Sequence, residues 1–175
     1  MILDAFQTFS NYQDLAQVAG TYDSNILDYG ILSGIPSSAN GGGARDMGIG
    51  DDPALKLLVQ LTTAFAGGTS LQVTLKGAVD DGTGNPAAFS DWWTSPVYAL
   101  AGLTPAGVRL LDMDFPRPPA GVAVPRFVKL TYDIIGDMTA GTVYAGVVPD
   151  RMDQMYNGTS NAVMGGYPPG LSVPN

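Results

Sequence analysis

The chain contains no cysteine, no histidine and no glutamate, so its 16 acidic side chains are all aspartate. The first absence removes disulfides, thiolate metal sites and thiol nucleophiles, and it leaves the redox compartment open. Without histidine, cysteine or glutamate, the usual nucleophile-base arrangements for chemistry near neutral pH cannot be assembled. Cations are scarce as well, 8 lysines and arginines against 16 aspartates, for a formal charge of −8. Binding to nucleic-acid phosphate draws on clustered cations that displace counterions, which excludes a nucleic-acid partner. No apolar run approaches the roughly 18 residues of a membrane helix, and the opening MILDAFQTFSNYQDLAQ has no basic region. Neither a membrane partner nor a signal peptide is therefore expected.

What the chain does contain points to β structure. Its 175 residues suit one domain of ordinary size, with 23 glycines and 13 prolines among abundant valine, threonine and aromatics. Aspartate favours caps and turns over helix interiors, and β-branched and aromatic residues favour strands. Leu55, Leu57, Val59, Leu61 and Phe65 recur at every second position, or a multiple of it, with Lys56, Gln60 and Thr62 between them. This is the period of a half-buried strand. After Ala66-Gly67-Gly68-Thr69, a second run puts Leu71, Val73, Leu75 and Val79 on one face, and the two runs are expected to pair as an antiparallel hairpin. A second hairpin is expected from Val128, Leu130, Tyr132 and Ile134, a Gly136-to-Gly141 turn, and Val143, Ala145 and Val147.

Between the hairpins, Asp91 to Ala99 and Val108 to Phe115 read as strands, the latter with Leu111, Met113 and Phe115 opposed to Asp112 and Asp114. With Asn25 to Leu32 and Arg45 to Gly50, the total is about eight short strands, and an antiparallel sandwich of jelly-roll type is the economical all-β fold. Residues 1–24 read as a flexible N-terminal arm, with a weak helical pattern at Tyr12, Leu15, Ala16 and Val18 that Ser10 or Asn11 could cap. Residues 25–153 are the expected sandwich, and residues 154–175, rich in glycine and proline, a flexible tail.

Few motifs suggest chemistry. Asp112 and Asp114 share a strand side at a separation of about 7 Å, not far from that of glycosidase carboxylates, but alternation alone accounts for both. Asp51-Asp52 and Asp80-Asp81-Gly82-Thr83-Gly84-Asn85 lack the spaced oxygens and closing glutamate of a calcium loop and read as turns, so no metal or other cofactor is expected. Trp92 and Trp93 are neighbours on a strand, which sends their indoles to opposite faces and leaves one outside the core. Phe6, Phe9 and Tyr12 of the arm, together with Trp92 and Trp93, are the candidate protein-contact residues. A carbohydrate platform is the alternative, and it would use Trp92, Tyr98 and Tyr144.

Three stretches resemble the capsid cement, or decoration, proteins of short-tailed bacteriophages, the family typified by that of a Bordetella podophage. The first is ARDMGIG at 44–50 leading into LVQLTTAF at 58–65; the second is SLQVTL at 70–75. The third is RFVKLTY at 126–132, closed by TAGTVYAGVV at 139–148. The resemblance runs from about Asn25 to Asp153 and is weakest around Asn85 to Ala99. It implies a non-enzymatic jelly-roll subunit, made in the bacterial cytoplasm, that oligomerises, as a dimer in preference to a trimer. In the virion it would sit on the outer surface of an expanded HK97-like shell, with the major capsid protein as its partner.

Overall fold

A computed structural model describes residues 7–30, 55–116, 125–148, 155–157 and 162–164. The chain is all-β, and among the described residues the named elements are strands apart from a 3-10 turn at Leu100–Leu103. One sheet has the order β1 (Thr8–Asp14), β10 (Met138–Val148), β4 (Lys56–Gly67), β8 (Arg109–Asp114). The other has the order β2 (Gly20–Asp23), β9 (Phe127–Ile135), β5 (Ser70–Ala78), β6 (Ser90–Thr94). β3 (Leu27–Asp28) continues the line of β2 along β9, and β7 (Tyr98–Ala99) continues that of β6 along β5. Every pairing is antiparallel. A separate two-stranded pair, β11 (Met155–Asn157) and β12 (Ala162–Met164), lies in the segment expected to be a tail.

The expected inward faces are the observed ones. Leu57, Val59, Leu61, Phe65, Leu111, Val143, Ala145 and Val147 of the first sheet meet Leu71, Val73, Leu75, Val128, Leu130, Tyr132 and Ile134 of the second in one buried cluster. Val79 departs from the pattern: it follows the end of β5 and is 43% exposed. The strand expected over Asp91 to Ala99 is interrupted at Ser95-Pro96-Val97, where proline has no N–H to give a ladder. Of the strand expected over Asn25 to Leu32, Leu27–Asp28 is strand, and the one over Arg45 to Gly50 lies outside the described residues.

The two expected hairpins are not hairpins. β4 and β5 are consecutive, but β4 pairs with β10 and β8 while β5 pairs with β9, β6 and β7. β9 and β10 likewise belong to opposite sheets. Each tight turn therefore carries the chain across the sandwich, and the two crossings lie against one another, since the outer members pair (β4 with β10) and so do the inner ones (β5 with β9). Glycine permits this approach. Gly67, Gly68 and Gly136 have φ of 69°, 61° and 76°, where a Cβ is disfavoured. A Cβ on Gly136 would lie 3.0 Å from the Gly68 Cα and 3.0 Å from the Thr69 amide nitrogen.

The expected N-terminal arm is also corrected. Residues 8–14 form an edge strand on β10, and residues 20–23 form one on β9. Leu15 is fully buried, its amide bonds the Gly141 carbonyl at 2.9 Å, and no helix forms there. The Ser10 hydroxyl meets that of Tyr132 at 2.8 Å, joining the two sheets inside the core, and burial raises the pKa of the tyrosine. Two irregularities in the β1–β10 register obscure the strand's alternation in the sequence. Truncation of Phe9, which is 0% exposed, is expected to cost about 3–5 kcal/mol in urea unfolding. Gly136→Ala is expected to cost about 1–3 kcal/mol through backbone strain and crowding of the facing turn.

Candidate functional site

The residues expected to make contacts part company in the structure. Phe6 lies outside the described residues. Phe9 is completely buried and serves the core. Tyr12 is 68% exposed, and its φ of 52° places a bulky side chain on a left-handed backbone, a conformation that costs about 1–2 kcal/mol. It falls where β1 slips register against β10, between the pairs Ser10↔Ala145 and Gln13↔Val143, so three steps along β1 span two along its partner.

Trp92 and Trp93 do not face opposite sides as expected. The pairs Leu75↔Trp93 and Lys76↔Asp91 leave Trp92 as an extra residue, a β-bulge that cancels the alternation. Trp93 is paired with inward-facing Leu75, while Trp92 packs edge-on against Phe115 with ring centroids 5.7 Å apart. Both indoles are half-buried against the core. Gly77 leaves room beside them, since a Cβ there would meet Pro125 at 2.9 Å and the Trp92 ring at 3.4 Å. The carbohydrate platform expected from Trp92, Tyr98 and Tyr144 is not assembled. Tyr98 donates its hydroxyl to the Leu110 carbonyl at 2.9 Å on the edge of one sheet, and Tyr144 stands on a central strand of the other.

Every aspartate among the described residues is engaged in structure. Asp112 is paired with Arg109 at 3.4 Å and Asp114 with Lys56 at 2.5 Å, so each carboxylate has its own cation. Asp91 pairs with Lys76 at 3.0 Å. Arg126 holds Asp28 through two bonds of 2.8 and 2.9 Å, bonds Asp80 through its remaining amino group, and lies 4.7 Å over the Phe127 ring. Asp80 also accepts the amides of Gly82 and Gly84, at 2.7 and 3.0 Å, and Asp81 accepts the amide and hydroxyl of Thr83. The loop from Asp80 to Asn85 is thus closed by its own amides and by an arginine. Asp14 and Asp137 accept the amides of Ala16 and Ala19, and Asp133 the Thr21 hydroxyl. Asp51 and Asp52 lie outside the described residues.

Two surface features were not anticipated. Val18, 64% exposed, and Ile135, 58% exposed, lie at the end of the sandwich where the chain crosses between sheets. Ile135 directly precedes Gly136, and Gln17, beside Val18, accepts the Met138 amide at 2.9 Å. The second feature is an open cleft of about 270 Å³ between the edge strands β1 and β2, lined among others by Ser10, Asn11, Gln13, Asp23, Ser24 and Asn25. Most of its polar groups are internally bonded: Gln13 accepts the Ser10 hydroxyl at 2.7 Å and donates to the Asp23 carbonyl at 3.0 Å, and Asp23 binds Lys129 and Thr131. No protein-family model matches this chain, and no curated protein does either.

Partial burial opposes ionisation of Asp23, but the bonds from Lys129 and Thr131 outweigh it and hold its pKa below the ordinary value. The amides of Gly84 and Gly82 do the same for Asp80, and the Thr83 hydroxyl and amide for Asp81. Depressed carboxylate pKa values add stability above the unfolded value of about 3.9, and that contribution is lost as pH falls through the folded pKa. With no histidine or glutamate present, the urea midpoint is expected to stay nearly constant from about pH 7 to 5 and to fall below about pH 4. Asp23→Asn should lessen that fall. A midpoint that already drops between pH 7 and 5 would contradict this assignment.

Proposed function

We propose that the protein is a structural, non-enzymatic jelly-roll subunit that cements the outer surface of an expanded phage capsid, with the major capsid protein as its partner and a second copy of itself in a dimer. The observation that carries this reading is where the resembling stretches fall. LVQLTTAF lies in β4, SLQVTL in β5, RFVKLTY runs into β9, and TAGTVYAGVV lies in β10, so together they make up the four inner strands of the two sheets. ARDMGIG lies outside the described residues. The strand order supports the jelly-roll reading. With β2 and β3 counted as one strand and β6 and β7 as another, the first of eight strands pairs with the eighth, the second with the seventh, the third with the sixth and the fourth with the fifth, the nested pairing of two interleaved Greek keys. The engagement of the carboxylates in ion pairs and turns supports a structural role over a catalytic one.

The physics of such a role is mass action. A subunit that binds only the expanded lattice stabilises it in proportion to occupancy. A dimer engages two shell sites at once, so effective concentration adds avidity to small contact patches. Val18 and Ile135 are suited to one of those patches, because they are apolar, exposed and carried on the tightly turned end of the sandwich.

The test is co-sedimentation of the purified protein with undecorated shells of its phage in unexpanded and expanded forms. Saturable pelleting with expanded shells alone, at a fixed copy number per coat subunit, is expected, and Ile135→Asp should weaken it. Absence of pelleting with both forms would remove the cement role. Deleting residues 1–21 is not an informative test, since it removes β1 and the Ser10 bond to Tyr132 along with any surface contact.

A further inference from the structure

From the end of the β2-β9-β5 sheet at which the chain crosses between sheets, we infer the chemistry of the partner that docks there: a coat-protein surface with an apolar depression ringed by lysine or arginine, and not a second copy of this chain. Taking the partner to be a coat protein rests on the cement reading proposed above. β9 turns Tyr132 and Ile134 to the core, so Asp133 and Ile135 project from the outer face. The pairs Gly20↔Ile134, Ser70↔Ile135 and Ser70↔Ala99 place Ala19 one strand spacing from Ile135 on one side and Ala99 two on the other. All three are exposed, as are the neighbouring Val18 and Val97, the latter two residues before Ala99. An exposed apolar row with polar side chains beside it marks a surface that another protein covers.

The row is also held in place. The Gln17 carbonyl accepts the Met138 amide, the Val18 carbonyl the Tyr22 hydroxyl, and the Asp137 carboxylate the Ala19 amide, each at 2.9 Å. Val18 is therefore exposed on a fixed segment, and docking it costs little ordering entropy. Charge decides between occupants. Asp133 and Asp137 lie two residues to either side of Ile135; the first accepts the Thr21 hydroxyl and the second the Ala19 amide, and neither is in an ion pair with a described residue. The lysines and arginines among the described residues are all held by aspartates elsewhere. Lys129 on β9 and Lys76 on β5 lie six positions from Ile135 and Ser70, roughly 20 Å of strand. A second copy would set the two carboxylates against their own counterparts with no cation between them, whereas lysines or arginines around an apolar depression complement both the centre and the rim.

The experiment is co-sedimentation of the full chain with expanded shells from about 50 to about 500 mM NaCl, a range over which exposed charges become screened. Binding of the parent is expected to weaken by about tenfold or more across it. Asp133→Asn, which keeps an acceptor for the Thr21 hydroxyl, should bind about three- to tenfold more weakly at low salt and with a shallower salt dependence. Ile135→Asp and Ile135→Lys both lose the apolar contact, but a cationic rim makes the lysine variant the weaker binder of the two. Ile135 is 58% exposed, so both variants should keep the parent's urea midpoint and, without shells, its oligomeric state. Pelleting of the parent that is indifferent to salt, or tighter binding by Ile135→Lys than by Ile135→Asp, would overturn the assignment of a cationic rim and leave the cement reading standing. A changed oligomeric state in either variant would give the row to a second copy instead. Absence of pelleting by the parent at every salt concentration would remove both.

Discussion

The structure depends on the contact between two tight turns. Gly67-Gly68 and Gly136 face each other at one end of the sandwich, and each turn sends the chain from one sheet to the other. Because the turns touch, the strands leaving them are set in register: Ser70 opposite Ile135 in one sheet, Met138 opposite Gly67 in the other. From there β5 and β9 run side by side for nine residue pairs, the inner scaffold on which the remaining strands are laid. Side chains at these turns would separate the two crossings, and both ladders would lose their starting point. Burial of the leucines and valines supplies the bulk of the driving force, but the turns decide which strand meets which.

Around that scaffold the edge strands are irregular, and the irregularities have consequences. β1 slips register twice, β2 and β3 are separated by a break, β6 is bulged at Trp92, and β6 and β7 are parted at Pro96. Irregular edges are poor templates for uncontrolled pairing with another chain. The same irregularities aim particular side chains: the bulge in β6 turns both indoles to the core, and the slip in β1 brings Tyr12 to the surface. Charged residues are spent on tying these edges down, as Arg126 does between β3 and the loop after β5.

Much of the fold is legible in the sequence, because a period of two in leucine and valine reports which face of a strand is buried. The inward residues of β4, β5, β9 and β10 follow from it directly. Alternation says nothing of partners, however, and a short glycine-containing turn serves a crossing between sheets as well as a hairpin, so the pairing of β4 with β5 was misassigned. β1 escaped for a related reason: extra residues at its register slips interrupt the period, and Phe9, Ser10 and Leu15 bury themselves without alternating. The candidate contacts were read from residue type, which finds aromatics but not their exposure. Phe9 is buried in the core and the two tryptophans pack against it, while no local pattern marks Val18, Ile135 or the cleft between β1 and β2, which arise only when distant strands come together.

The pairing of β1 with β10 also bears on when this molecule can form. The Thr8 and Tyr144 hydroxyls lie 3.4 Å apart across 136 positions of sequence, and β2 waits on β9 in the same way. A ribosome therefore releases most of the chain before its first two strands have anything to pair with. Ladders between such distant segments form slowly, because a long loop must close before any bond is gained. Until the last strands emerge, the apolar faces of β4 and β5 stand uncovered, and crowding of nascent chains at this stage favours aggregation. How long the apolar faces of β4 and β5 wait for β10 and β9 is thus a property of strand order and not of the finished fold's stability.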